Sequence, residues 1–144
     1  MPKRLAFDAH KVVGFSPAGC EHEFVSRLLV DKHSVGSERL VINHFTLLPG
    51  KSTPPGSHRP PFDEAYYVLS GSGELRLGDK PDVYYVTPGW VAFIPGGMLH
   101  ALHNTGDQDL EILTIMPLPP EPGVNSNYDA RLAAWGTSFR MVDE

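Results

Sequence analysis

The sequence predicts an all-β fold, a sandwich or barrel, and three observations predict it. Glycine and proline each occur 14 times, 28 of 144 residues, or about 19% against a usual ~12%; such punctuation suits turns rather than long helices. Apolar residues alternate in short runs. Turn signals separate those runs roughly every ten residues. A chain of this length corresponds to about one domain and buries roughly 68–70% of its unfolded surface. Its 41% hydrophobic and 20% charged content fits a folded chain.

The elements follow in order. Residues 1–34 are weakly patterned, with Phe24-Val25-Ser26-Arg27-Leu28-Leu29-Val30 readable as an N-terminal strand. Arg39 to Leu48 is a clearer strand. One face would carry Leu40, Ile42, His44, Thr46 and Leu48, the other Val41, Asn43, Phe45 and Leu47. Pro49-Gly50 ends it, and Lys51 to Pro61 reads as a loop rich in proline. Ala65 to Leu69 is a strand, Ser70-Gly71-Ser72-Gly73 a turn, and Glu74 to Leu77 a further strand; together they read as a hairpin. Val83–Val86, Trp90–Ile94, His100–His103 and Leu110–Met116 are strands divided by Pro88-Gly89, Pro95-Gly96-Gly97 and Asn104-Thr105-Gly106-Asp107. Pro117 to Gly123 is an extended arm. A capping-box pattern at Ser126 and Asp129 opens a short C-terminal helix from Tyr128 to Trp135, stopped by Gly136. The chain reads as a single domain over 1–144, with a barrel core over about 35–117 and an arm and helix over 118–144.

Composition also excludes functions. The formal net charge is −5, which implies no basic face and argues against nucleic acid as a partner. The single cysteine, Cys20, has no internal partner, as suits a reducing compartment. Lys3-Arg4 and Leu5-Ala6-Phe7 precede Asp8, too short an apolar run for a signal peptide. Residues 83–106 contain no Asp, Glu, Lys or Arg, but Pro88, Pro95, four glycines and two histidines interrupt them, so no membrane helix is expected. The expectation is a soluble cytoplasmic protein.

Three potential metal ligands fall in the central segment: His58 in the proline-rich loop, Glu64 at a strand start, and His100 at another strand start after a Pro-Gly-Gly turn. Two imidazoles and one carboxylate on one face suit Fe(II), Mn(II) or Zn(II) and leave coordination positions open. Tyr66 is two residues after Glu64 and therefore on the same face. A phenol beside a bound cation could act as acid or base; packed and hydrogen-bonded, it would be an ordinary barrel aromatic. Asp63 and His103 fall on opposite faces from Glu64 and His100. Phe45, Val68, Phe93, Met98 and Leu102 could wall an apolar pocket or fill the core. No Gly-x-Ser-x-Gly elbow, P-loop or dinucleotide fingerprint occurs.

Gly89, Pro95, Gly97, His100 and Asn104 stand at the spacing Gly-x5-Pro-x-Gly-x2-His-x3-Asn, and His58, Glu64 and Gly71 match His-x-His-x3-Glu-x6-Gly at every position except the second histidine, which is Pro60. With these motifs the chain resembles a single-domain cupin of the small double-stranded β-helix (jelly-roll) type. The resemblance implies a barrel whose mouth holds one divalent transition metal, with Fe or Mn favoured and Zn or Ni possible. Metal-binding cupins usually supply three histidines and one glutamate; this chain keeps His58, Glu64 and His100, and proline offers no donor atom at position 60. His44 could fill the gap if Leu40, Ile42 and His44 face inward. The resemblance implies a metal-dependent enzyme acting on a small organic molecule, as oxygenase, lyase, decarboxylase or isomerase, with Glu64 and Tyr66 as catalytic candidates. The alternative is a non-catalytic cupin that binds or senses a small ligand after losing or weakening its metal; Pro60 supports it. A metal-free epimerase-like cupin would need basic residues for phosphates, for which only Arg59 and Arg76 offer themselves. Small cupins often dimerise, so a homodimer is implied, with Phe24 to Val30 a candidate edge strand.

Overall fold

The computed structural model describes residues 5–12, 14–16, 19–20, 22–58, 60, 62–117 and 140–142. Among them run ten strands: β1 (Gly14–Ser16), β2 (Phe24–Val30), β3 (Val41–Leu47), β4 (Glu64–Ser70), β5 (Gly73–Leu77), β6 (Asp82–Val86), β7 (Val91–Ile94), β8 (His100–His103), β9 (Leu110–Met116) and β10 (Arg140–Val142). Pairing is antiparallel in two sheets, one in the order β10-β1-β2-β3-β9-β4-β7 and one in the order β6-β5-β8. After β4 the chain passes to the small sheet for β5 and β6, returns for β7, crosses again for β8 and returns for β9. That alternation is the double-stranded β-helix, and the two sheets enclose the interior.

Burial decides which side of each strand faces in. Leu47, Val68, Leu75, Val86, Ile94, Leu102, Leu110 and Ile112 form one core cluster with Tyr66, and each such aliphatic side chain contributes about 1.5–3 kcal/mol relative to exposure. Phe15, Leu28, Val41, Phe62 and Met116 form a second. In β3 the inward set is therefore Val41, Asn43, Phe45 and Leu47, because residues two apart share a face. Val68 and Leu102 are core, and Phe45 and Met98 pack against them. Phe93 is not a pocket wall: it alternates with buried Ile94 and points outward, 62% exposed.

His44 also departs from the pocket reading. It lies on the outward face of β3, yet it is only 6% exposed. Its Nε2 is 3.4 Å from Glu111 Oε1, and Glu111 Oε2 accepts a 2.6 Å bond from the Ser70 hydroxyl. The His10 ring stands edge-on at 6.5 Å. Burial pushes the His44 imidazole below its ordinary pKa; Glu111 opposes this, and Arg27 and His10 add to it. The inward places of β3 are taken by the residues that meet the core, so His44 cannot reach the barrel.

The expected hairpin of β4 and β5 does not form. β4 pairs with β7 and β9, whereas β5 pairs with β6 and β8. The Gly71–Gly73 segment is a crossover squeezed against the backbone at His103 and Asp109. A Cβ on Gly73 would lie 2.6 Å from the His103 carbonyl oxygen, and Gly71 has φ +80° against the Asp109 backbone. Only glycine tolerates that approach. β2 is no edge strand either. It pairs with β3 along its length and with β1 at Ser26, and the sheet ends at β10 and β7. A short helix, α1 (Lys32–Val35), follows β2, capped by Asp31 and ended by Gly36 in the left-handed conformation. The expected helix over Tyr128–Trp135 lies outside the described residues. β10 was not anticipated; it pairs with β1.

Asn104 closes the turn between β8 and β9. It is fully buried, donates from Nδ2 to the carbonyls of Leu47 and Gln108 at 2.8 Å each, and accepts from the Gly106 N–H at 2.9 Å. Asn104→Ala strands three backbone groups, and urea denaturation should show a loss of about 2–4 kcal/mol. His44 is depressed in the folded state relative to the unfolded chain, so the folded protein binds fewer protons as the pH falls. Its contribution is present above the unfolded value of about 6.5 and is lost below it. The fall in the urea midpoint between about pH 7.5 and 5.5 should therefore be smaller in His44→Asn than in the native protein.

Candidate metal centre

The backbone brings three distant residues to one point. Pro54 and Pro55 cannot donate to a ladder, so the segment after β3 meets β8 through two isolated bridges, Ser52 with His103 and Gly56 with His100, and through Thr53, whose N–H donates to the Leu102 carbonyl and whose hydroxyl accepts from the Leu102 N–H, at 2.9 Å each. At the second, His100 N–H donates to the Gly56 carbonyl at 2.8 Å and Gly56 N–H returns a 3.0 Å bond. Two residues on, the His58 carbonyl accepts from the Gly97 N–H. The loop is thereby held on both sides of the His58 side chain. Gly96 admits it: a Cβ there would lie 2.8 Å from Phe62 N and 2.9 Å from Pro60 Cα. Pro60 itself is exposed and rests its ring on the Gly97 position.

Glu64 opens β4, facing in, and is 4% exposed. Its Oε1 lies 3.4 Å from His58 Nε2 and 3.4 Å from His100 Nε2. The ligand atoms of the three residues all lie within 4.8 Å of one another. The His58 and His100 rings are 5.6 Å apart, and Phe62 packs on the His58 ring at 5.0 Å. The His58 side chain is 39% exposed, which puts the site at the barrel mouth. His100 Nδ1 bonds the Met98 carbonyl at 3.0 Å; donation there fixes the tautomer and turns the Nε2 lone pair toward Glu64, as metal-ligating histidines require.

Burial alone would raise the Glu64 carboxyl, but His100 and then His58 hold it below the ordinary carboxylate value. Burial likewise disfavours charge on His100, but the Glu64 carboxylate and the Met98 carbonyl lift it above the usual imidazole value. Tyr66 is buried in the barrel beside them. Its ring meets His100 edge-on at 6.1 Å. Burial first, then the charge of Glu64 and a hydrogen bond to it, drive the phenol well above its ordinary pKa. Glu64 Oε1 is fully buried and has no hydrogen-bond partner. An anionic oxygen left in that state between two imidazole nitrogens fits a divalent cation.

The structure thus gathers His58, Glu64, His100 and Tyr66 and leaves His44 out. Asp63 turns away and accepts from the Gly96 N–H at 3.0 Å; His103 bonds the Ser52 hydroxyl on the outer side. Two inward polar residues escaped the sequence reading. Asn43 is cross-strand partner of Thr114, and Thr114 of Tyr66, so the three form one row beside Glu64. Their signal was a polar residue alternating with large apolar ones in each strand.

Comparison with known proteins agrees with this geometry. A family model described as Cupin domain matches residues 43–116. The oxalate-binding protein of Thermotoga maritima is 33% identical over 90 residues, covering 62% of this chain and 72% of that one. Auxin-binding protein 1 of Arabidopsis thaliana is 35% identical over 82 residues, 52% of this chain but 40% of that protein; the chain spans less than half the length of its auxin-binding relatives. The solved structure of the polyketide cyclase RemF from Streptomyces resistomycificus superposes with a TM-score of 0.67 at 27% identity, covering 86% of this chain and 85% of that one. With the matched segment running from β3 through β9 and carrying all three gathered side chains, the chain belongs to the cupin domain family.

Proposed function

We propose that the protein is a metal-dependent cupin enzyme acting on a small organic molecule. One observation carries the reading: a buried, unpartnered carboxylate oxygen held equidistant from two imidazole nitrogens. Fe(II) or Mn(II) suits this donor set best, with Zn(II) or Ni(II) also accommodated, and such a cation would supply Lewis-acid or redox chemistry at its open positions. His58, Glu64 and His100 would hold it. Pro60 contributes no donor atom, so three protein ligands leave more of the coordination sphere for substrate. Tyr66 holds a proton against the same site, and its hydroxyl can orient a bound oxygen or pass that proton. The inward apolar face around Leu102 excludes water behind the ligands.

A second reading keeps the site and drops the chemistry: a cupin that binds a small ligand. The oxalate-binding and auxin-binding relatives favour it. We assign the protein to the cytoplasm on its single cysteine; no helix of the described residues is long and apolar enough to cross a membrane. We also assign a homodimer. The outer face of β4 and β7 exposes Tyr67, Leu69, Val91 and Phe93 beside the unpaired edge of β7, an apolar face of the kind that packs on a second copy.

Elemental analysis of untagged protein should find about one transition metal per chain. His100→Ala should empty the site and His103→Ala should not; equal metal in both overturns the ligand assignment. Tyr66→Phe should keep the metal and, in an enzyme that uses this proton, reduce turnover by roughly 10²–10⁴-fold. Full turnover removes Tyr66 from the chemistry. Light scattering should give twice the 15.8 kDa of one chain, falling to the monomer in Phe93→Glu.

A further inference from the structure

We infer that Asn43 and Thr114 form a hydroxyl-binding subsite inside the barrel, so that the ligand is a small hydroxylated organic acid. The inference rests on the reading of His58, Glu64 and His100 as a metal centre. Asn43 is 1% exposed and Thr114 6%, and Asn43 Oδ1 and Thr114 Oγ1 are buried with no hydrogen-bond partner. A buried polar atom left unpaired costs about 1–3 kcal/mol, and two on adjacent strands are a cost that packing alone does not explain. Leucine and valine would fill the same space without it.

Both residues face inward. Asn43 lies between Val41 and Phe45, and Thr114 between Ile112 and Met116, all core or packed on it. They are direct partners across β3 and β9. Thr114 is in turn the partner of Tyr66 across β9 and β4, and Tyr66 touches Glu64 and His100. The row therefore continues the metal centre into the barrel. Its chemistry selects the ligand group. The free atom of Asn43 is an acceptor and demands a donated hydrogen. The free Thr114 hydroxyl can donate in return. A ligand hydroxyl satisfies both at once; a carboxylate or phosphate satisfies only Thr114. The inward positions of β3, β4, β5, β8 and β9 contain no lysine or arginine, so a second anionic group finds no counter-charge there. The acidic end belongs at the cation and the neutral hydroxyl at the row.

The test compares probe pairs on Zn(II)-loaded protein by titration calorimetry: butyrate with 4-hydroxybutyrate, and benzoate with 3- and 4-hydroxybenzoate. In these the hydroxyl cannot chelate the metal that holds the carboxylate. At least one hydroxylated probe should bind about 3- to 10-fold tighter than its parent, the worth of a neutral hydrogen bond. Asn43→Leu and Thr114→Val should each abolish that gain, leave the affinity of the parent acid in place, and keep or raise the melting temperature. No preference for any hydroxylated probe overturns the subsite. So does a preference that survives both substitutions, or a fall in melting temperature in both, which would mark the residues as structural. The same titrations on chelator-treated protein separate the two readings. Parent acids that bind equally well without metal defeat the metal centre, while the hydroxyl preference and its loss in the variants remain readable.

Discussion

The burial of the Glu64 carboxylate is the constraint around which the barrel mouth is arranged. An anion 4% exposed in an apolar enclosure is strongly disfavoured unless cationic or hydrogen-bonding partners meet it. Here both imidazoles are delivered by backbone rather than by their own side-chain packing. His100 arrives on β8, bonded through its main chain to Gly56, and that bond also places the loop carrying His58. A single pair of main-chain bonds thus sets both partners relative to the carboxylate. Tyr66 completes the surround from the same strand as Glu64, and its burial is tolerable because its hydroxyl is engaged by that carboxylate.

That arrangement demands two sheets in close apposition, since Glu64 and His100 belong to different ones. The crossings between the sheets are where sequence is least free. Gly71 and Gly73 occupy a passage in which a side chain would strike the backbone at Asp109 or His103. Asn104 binds the end of β3, through the Leu47 carbonyl, to the turn leading into β9. Of the motif residues, only His58, Glu64 and His100 offer metal donors; Gly71, Gly97 and Asn104 keep the scaffold that aims them.

The strands β7, β8 and β9 and the cluster of His58, Glu64 and His100 were legible because their signals are local: alternation, flanking turn residues, and fixed motif spacing. What sequence could not assign was which strands pair. Ser70 to Gly73 has the composition of a hairpin turn, and the reason it is a crossover lies in contacts with residues far along the chain, Asp109 and His103. The same limit applies to His44. Both faces of β3 contain apolar residues, so alternation alone leaves them equivalent; Leu75 and Leu102 on the opposite sheet break the tie. β1 and β10 are three residues long, too short to show periodicity, and they are strands only because each finds a partner.

The buried polar atoms without partners separate the two faces of the large sheet by purpose. On the outside, His44 Nδ1 and Thr46 Oγ1 are unpartnered, but they adjoin Glu111, Ser70 and Arg27, a polar layer under the N-terminal segment with charges of both signs. Inside, Asn43 Oδ1, Thr114 Oγ1 and Glu64 Oε1 are unpartnered and face an otherwise apolar enclosure. Water or neighbouring polar groups can moderate the outer set, because Glu111 is a third exposed. Glu64 Oε1 is met by the His58 and His100 imidazoles, whereas Asn43 Oδ1 and Thr114 Oγ1 have no such relief among their apolar neighbours and remain a standing destabilisation of the folded chain. Proteins hold strain of this kind chiefly where a bound group removes it. The inner atoms lie in one continuous row from the barrel mouth inward, a cation at Glu64 and a hydroxyl between Asn43 and Thr114 being the two species that would satisfy them. Affinity and stability are then coupled through the same atoms: whatever relieves the row binds, and whatever binds there stabilises the barrel.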